Sequence, residues 1–105
     1  MLRIYPVCIE MVRDVAVLAE AISKFDRDHA RQLRRSCLSV SLNVAEGCGA
    51  RGGTRRARYD DALGSARETV ANLESAEAIG YIRPIDKALR DKFNHIIGVL
   101  VKIVH

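Results

Sequence analysis

Apolar residues recur along this chain at alternating steps of four and three, and breaks in that rhythm divide it into four helical segments. The clearest run lies between Leu33 and Gly47. There Leu33, Cys37, Val40, Val44 and Gly47 share one face, and Leu38, Leu42 and Ala45 form a second row beside it. A polar stripe of Gln32, Ser36, Ser39, Asn43 and Glu46 follows the same spacing between the edges of that arc. After a glycine-and-arginine break, Asp61, Ser65, Glu68, Asn72 and Ser75 repeat the polar rhythm. Two consecutive helices thus each carry a wide apolar arc and one narrow polar stripe.

The flanking segments complete the pattern. Pro6 suits the first turn of a helix over 6–24, with Met11, Val15, Leu18, Ile22 and Phe25 as its apolar stripe. Asp26 or Asp28 then caps a second helix over 29–47, which stops in the glycines Gly47 and Gly49. Thr54 is the expected N-cap of a third helix over 54–80, carrying Tyr59, Leu63, Ala66, Val70 and Leu73 and ending at Gly80. Pro84 opens a fourth over 84–104, with Ile85, Leu89, Phe93, Ile96, Leu100 and Ile103 on one face. Its β-branched tail is compatible with a strand, but the continuing register decides for helix. Short connections make neighbours antiparallel, so the 105 residues predict one all-α domain, an antiparallel up-down-up-down four-helix bundle.

Two apolar rows exceed what one such core buries: Leu38, Leu42 and Ala45 on the second helix, and Ile97, Val101 and Val104 on the fourth. Exposed apolar rows mark partner surfaces, and the simplest partner is another copy, so a closed homo-oligomer is expected.

Composition sharpens this picture. Hydrophobic residues make up 49% and aromatics 5%, with no Trp, which suits close packing of aliphatic helices. The net charge of +4 is unevenly spread. From Lys24 to Arg58 nine basic residues face three acids, a net +6, whereas residues 59–82 hold one Arg and five acids, a net −4. Arg51, Arg55, Arg56 and Arg58 gather at one bundle end beside Gly49, Gly52 and Gly53. Guanidinium groups match phosphate oxygens in a fork, so these four are the candidate nucleic-acid-binding residues, for RNA or DNA backbone rather than base sequence. A solvated loop and helix end explains the same cluster equally well.

Other chemistry is disfavoured. Cys8, Cys37 and Cys48 are odd in number and unpaired in spacing, so no disulfide framework is expected. The histidines His29, His95 and His105 are scattered, and no metal or other cofactor is expected. No apolar run approaches a membrane span, which points to a cytoplasmic protein without membrane contact. The glycine loop lacks the G-K-[ST] of a phosphate-binding loop. Glu46 and Glu68 could form a two-carboxylate site. General acid–base work, however, needs one carboxyl held protonated, and arginines close by favour the ionised form. The chain is therefore expected not to be an enzyme. Antiparallel packing about the ARGGT turn makes facing residue numbers add to roughly 104. That places Glu68 by Arg35 and Glu46 by Arg58, and Arg35, Asn43, Glu46, Ser65 and Glu68 are read as a structural polar motif, with Arg35–Glu68 a partly buried ion pair.

The segment LRRSCLSVSLNVAEG resembles the signature of the four-helix bundle proteins encoded in intervening sequences of bacterial 23S ribosomal RNA genes. The matching residues are Arg34, Arg35, Ser39, Val40, Asn43, Val44, Ala45, Glu46 and Gly47, followed by Gly64, Ser65 and Glu68 and by the IGYI lead-out at Ile79–Ile82. Ser36 stands where the family pattern has Ala, and Tyr5 and Pro6 replace an aromatic-rich opening. The resemblance implies a homopentamer and a role beside nucleic acid. It also implies accessory proteins of retroelements, which assist a reverse transcriptase, as relatives. A protein-only assembly scaffold is the alternative it leaves open.

Overall fold

The computed structural model describes residues 2–105 and contains four helices: α1 (Ile4–Ser23), α2 (Arg27–Gly49), α3 (Gly52–Ile79) and α4 (Lys87–Val104). No strand occurs among the described residues. Each helix packs on its chain neighbours, and α4 closes the ring against α1. The molecule measures 43 × 25 × 20 Å. Its length is that of α3, whose 28 residues at a rise of about 1.5 Å each run from one end to the other.

Helix ends follow local chemistry, with two corrections. Asp26 caps α2 by accepting from the His29 backbone N–H at 3.0 Å. Gly80 ends α3 in the left-handed region (φ 94°), and the Tyr81 N–H returns to the Ala76 carbonyl at 2.9 Å. Thr54, however, lies inside α3, which begins two residues earlier after Arg51. Gly52 makes that possible, since its φ of 57° folds the chain sharply out of the loop. Pro84 likewise does not open α4. Asp86 does, accepting from the Leu89 N–H at 2.9 Å, so Pro84 and Ile85 remain in the connector.

The core is one cluster of apolar, mostly aliphatic side chains from all four helices, including Met11, Val15, Ile22, Leu33, Val40, Val44, Leu63, Leu73, Phe93, Ile96 and Leu100. Cys37 and Tyr59 are buried in it. Phe25 departs from its expected stripe: it is 66% exposed and stacks on Tyr81. The surplus rows divide. On α4, Val104 is buried and Ile97 and Val101 are half-buried against the core. On α2, Leu38 and Leu42 remain about half exposed, at 51% and 52%.

Thr69 shows how polar groups enter this core. Its Oγ1 lies 2.8 Å from the Ser65 carbonyl and 2.9 Å from Ser36 Oγ, which lies 3.1 Å from the Leu33 carbonyl. The two hydroxyls share their protons among these neighbours, and either residue alone can still satisfy its own helix carbonyl. Ser36→Ala and Thr69→Val are each expected to shift stability by under about 1 kcal/mol. Chemical denaturation checks this, and a loss above about 2 kcal/mol in either would mean the cross-helix bond is indispensable.

Candidate functional site

Two regions hold the residues singled out by the sequence. The first is the α2–α3 seam. Ser39 and Ser65 hydroxyls meet at 2.8 Å, and Asn43 Nδ2 donates to the Ser39 carbonyl and hydroxyl at 2.9 and 3.0 Å. Glu46 reaches Arg58 at 3.7 Å, and Arg58 also lies 3.6 Å from Asp61. These pairings have the antiparallel register expected from the turn. The Arg35–Glu68 ion pair does not form. Both residues are exposed and share the rim of a shallow hollow of about 290 Å³ with Asp28, Arg31 and Gln32, without coming within ion-pair distance. The reason is helical phase: Arg35 and Glu68 point away from the seam, where Ser36 and Thr69 occupy the buried line. A second hollow of about 360 Å³ is lined by Arg35, Leu38, Ser39, Leu42, Asn43, Glu46 and Arg58. Glu46 and Glu68 lie on different hollows, so no shared two-carboxylate cleft forms.

The second region is the bundle end where α2 stops and α3 starts. Arg51 is exposed and precedes α3. Arg55 Nε donates to the Ala50 carbonyl at 2.9 Å, and Arg56 donates to the Val104 carbonyl at the end of α4, where a cation complements the helix dipole. Arg58 differs from its neighbours because two carboxylates share its charge. Cys48 lies at this end and accepts from the Leu2 N–H at 3.4 Å and the Tyr59 hydroxyl at 3.6 Å. Burial alone would raise its thiol, but those two donors and Arg55 nearby hold it below its ordinary value. Tyr59 is thereby anchored at both ends: its ring packs against Gly47 and its hydroxyl points to Cys48.

The family model of the 23S rRNA-intervening sequence protein matches residues 1–102. The chain belongs to that family. Its fold is similar to the crystal structure of a protein of unknown function from the S23 ribosomal protein family of Bacteroides thetaiotaomicron, with a TM-score of 0.85. The match covers 96% of this chain and 97% of that one at 21% identity, a likeness of fold. None of the curated proteins matches the chain. In this family member, the N-V-A-E-G block and the Gly64–Ser65–x–x–Glu68 element flank one seam: Asn43 and Ser65 meet through Ser39, while Glu46 turns outward to Arg58.

Sequence reasoning missed the buried Thr69 and the Phe25–Tyr81 stack. Thr69 had a signal, since it falls three residues after Ala66 and four before Leu73 in the apolar rhythm. Tyr81 lies in a connector, outside any periodic pattern, and only the folded chain brings it to Phe25. Among the described residues no helix is long and apolar enough to cross a membrane.

Proposed function

We propose that this protein is a non-enzymatic, homo-oligomeric accessory module that binds RNA or DNA through backbone phosphates. The observation that carries the reading is the arginine end, where Arg51, Arg55 and Arg56 are exposed and none lies within ion-pair distance of a carboxylate among the described residues. Guanidinium groups without a carboxylate partner on a rim bind polyanions with little sequence preference and with affinity that falls steeply in salt. Arg58 contributes least, because Glu46 and Asp61 already share its charge. A ring of copies, the pentamer that the family resemblance favours, multiplies Arg51, Arg55 and Arg56, none of them paired with a carboxylate among the described residues, into one strong field. A reverse transcriptase or another protein acting on the same nucleic acid is the partner class that fits an accessory role.

A salt titration tests it. Single-stranded RNA or DNA should bind at low ionic strength, and Arg51→Ser with Arg55→Ser should reduce the salt slope by about one unit for each phosphate no longer neutralised. Arg58→Ser should change it less. Absence of binding by the wild type at low salt would leave the protein-only scaffold as the better reading, with the exposed Leu38 and Leu42 as its support. A slope undiminished in the double variant would move the site elsewhere.

Assembly has its own test. Leu38 and Leu42 form an apolar strip on α2 along the hollow beside the α2–α3 seam, too exposed to serve the monomer's core. Leu42→Glu should yield a monomer mass by light scattering at micromolar concentration with helicity unchanged. A wild type that is already monomeric there would refute the oligomer.

A further inference from the structure

We infer that Phe25, backed by Tyr81 and flanked by Lys24, Arg27 and Arg83, is a stacking platform for an unpaired nucleobase. It lies at the bundle end opposite the arginine cluster. Its exposure is anomalous: this phenylalanine in the α1–α2 turn is 66% exposed while smaller apolar residues fill the core beside it. The ring is not loose. It lies nearly parallel to Tyr81, with 9° between planes and 5.4 Å between centroids, and His29 meets Tyr81 edge-on at 5.8 Å. Tyr81 is in turn fixed by its N–H to the Ala76 carbonyl and by its hydroxyl to Asp26 at 3.5 Å. One face of Phe25 is thus held against a rigid support, and the exposed remainder is open to a second planar group.

Charge selects what that group belongs to. Four carboxylates near this end already accept hydrogen bonds, while exposed Glu74 on the last turns of α3 makes none among the described residues. Asp26 caps α2, Asp28 bonds Arg31 and Gln32, Glu77 accepts from the Ile85 N–H, and Asp86 caps α4. Lys24, Arg27 and Arg83 are exposed and, among the described residues, form no ion pair or side-chain hydrogen bond. An open aromatic face among free cations suits a single strand, with its base on the ring and its phosphates on the cations. A purely apolar protein partner would leave three cations to be desolvated without compensation. The chain has no Trp, and of the two tyrosines at the arginine end Tyr59 is buried and Tyr5 is half-buried against the core, so Phe25 is the most exposed ring on which a base can stack.

The inference rests on the nucleic-acid reading, and its test separates the two. Phe25→Trp introduces the chain's single tryptophan at an exposed position, where the larger ring has room. A single-stranded oligonucleotide should quench that fluorescence, and an abasic oligonucleotide of equal length should bind without quenching. Phe25→Leu should weaken the base-bearing strand by about 5- to 100-fold by anisotropy and leave the abasic strand unaffected, with an unchanged melting temperature. Binding without quenching, together with full affinity in Phe25→Leu, would overturn the platform and leave the arginine reading standing. Absence of binding by either strand would overturn both.

Discussion

Gly47→Ala is expected to lower the melting temperature by roughly 5–20 °C, although alanine is the better helix former. A Cβ on Gly47 would sit 2.4 Å from Tyr59 Cε1 and 2.7 and 2.9 Å from Cδ1 and Cζ, all inside van der Waals distance. The ring cannot step aside cheaply, because Tyr59 is 3% exposed and its hydroxyl is tied to Cys48. Forcing it off its position costs about 1–3 kcal/mol, and losing the ring from the core altogether costs about 3–5. Against this, alanine returns about 1 kcal/mol of helix propensity. In a domain this small each kcal/mol moves the midpoint by about 4–8 °C. Gly64→Ala is the control: it lies inside α3 with nothing near its would-be Cβ, so there the propensity gain acts alone and should stabilise by up to about 1 kcal/mol. Tyr59→Leu should partly rescue Gly47→Ala, which a double-mutant cycle would register as coupling. Equal melting of Gly47→Ala and the wild type would show that the two helices have slack where the structure has none.

That glycine also marks where sequence reading reaches and where it stops. The step of four and three placed Gly47 on the core face of α2, and the same rhythm located Leu33, Val40, Leu63 and Phe93 in the core. Periodicity carries this information because a buried helix face repeats with the helix itself. The turn length then set the α2–α3 register well enough to bring Glu46 to Arg58 and Ser39 to Ser65. It could not fix rotation about each helix axis. A few tens of degrees decide whether Arg35 and Glu68 meet across the seam or rim a hollow beside it, and residue spacing does not resolve that angle. Thr54 and Pro84 failed for a different reason. Both are good terminators in isolation, but Gly52 turns the chain into α3 two residues before Thr54 through its positive φ, and the Asp86 carboxylate caps α4 two residues after Pro84. Of the arginine cluster, the sequence identified the bundle end. That Arg58 is neutralised while Arg51 is free depends on carboxylates from two different helices, and only the packed structure displays it.

The largest effect is expected at alkaline pH, where the fold should lose about 5 kcal/mol between roughly pH 9 and pH 11. Cys8 and Cys37 are 0% and 3% exposed, with Cys37 Sγ 3.3 Å from Met11 Sδ. Burial pushes the Cys8 thiol up to about 11 from 9.0. Burial, and then the neighbouring Cys8, push Cys37 up to about 12. The sign follows from which state holds the proton. Above pH 9 the unfolded chain releases both thiol protons while the folded chain keeps them, so the folded state binds more protons and stability falls as pH rises. Each thiol contributes a slope of about 1.4 kcal/mol per pH unit across that window, and two act together until Cys8 ionises in the folded state near pH 11. Tyr59, raised mainly by burial to about 12 from 10.0, adds in the same direction above pH 10. Domains of this kind hold about 5–15 kcal/mol in all, so unfolding at room temperature by about pH 11 is within reach. Urea titrations at pH steps from about 7 to 11 measure the slope. Cys8→Ala with Cys37→Ala should start less stable at neutral pH, having given up core volume, yet decline more gently. The residue of its slope should come from Tyr59 and from Lys92, whose hydrogen bond and proximity to Asp14 raise it. A double variant as steep as the wild type would acquit the thiols and place the alkaline sensitivity in Tyr59 and the surface lysines instead.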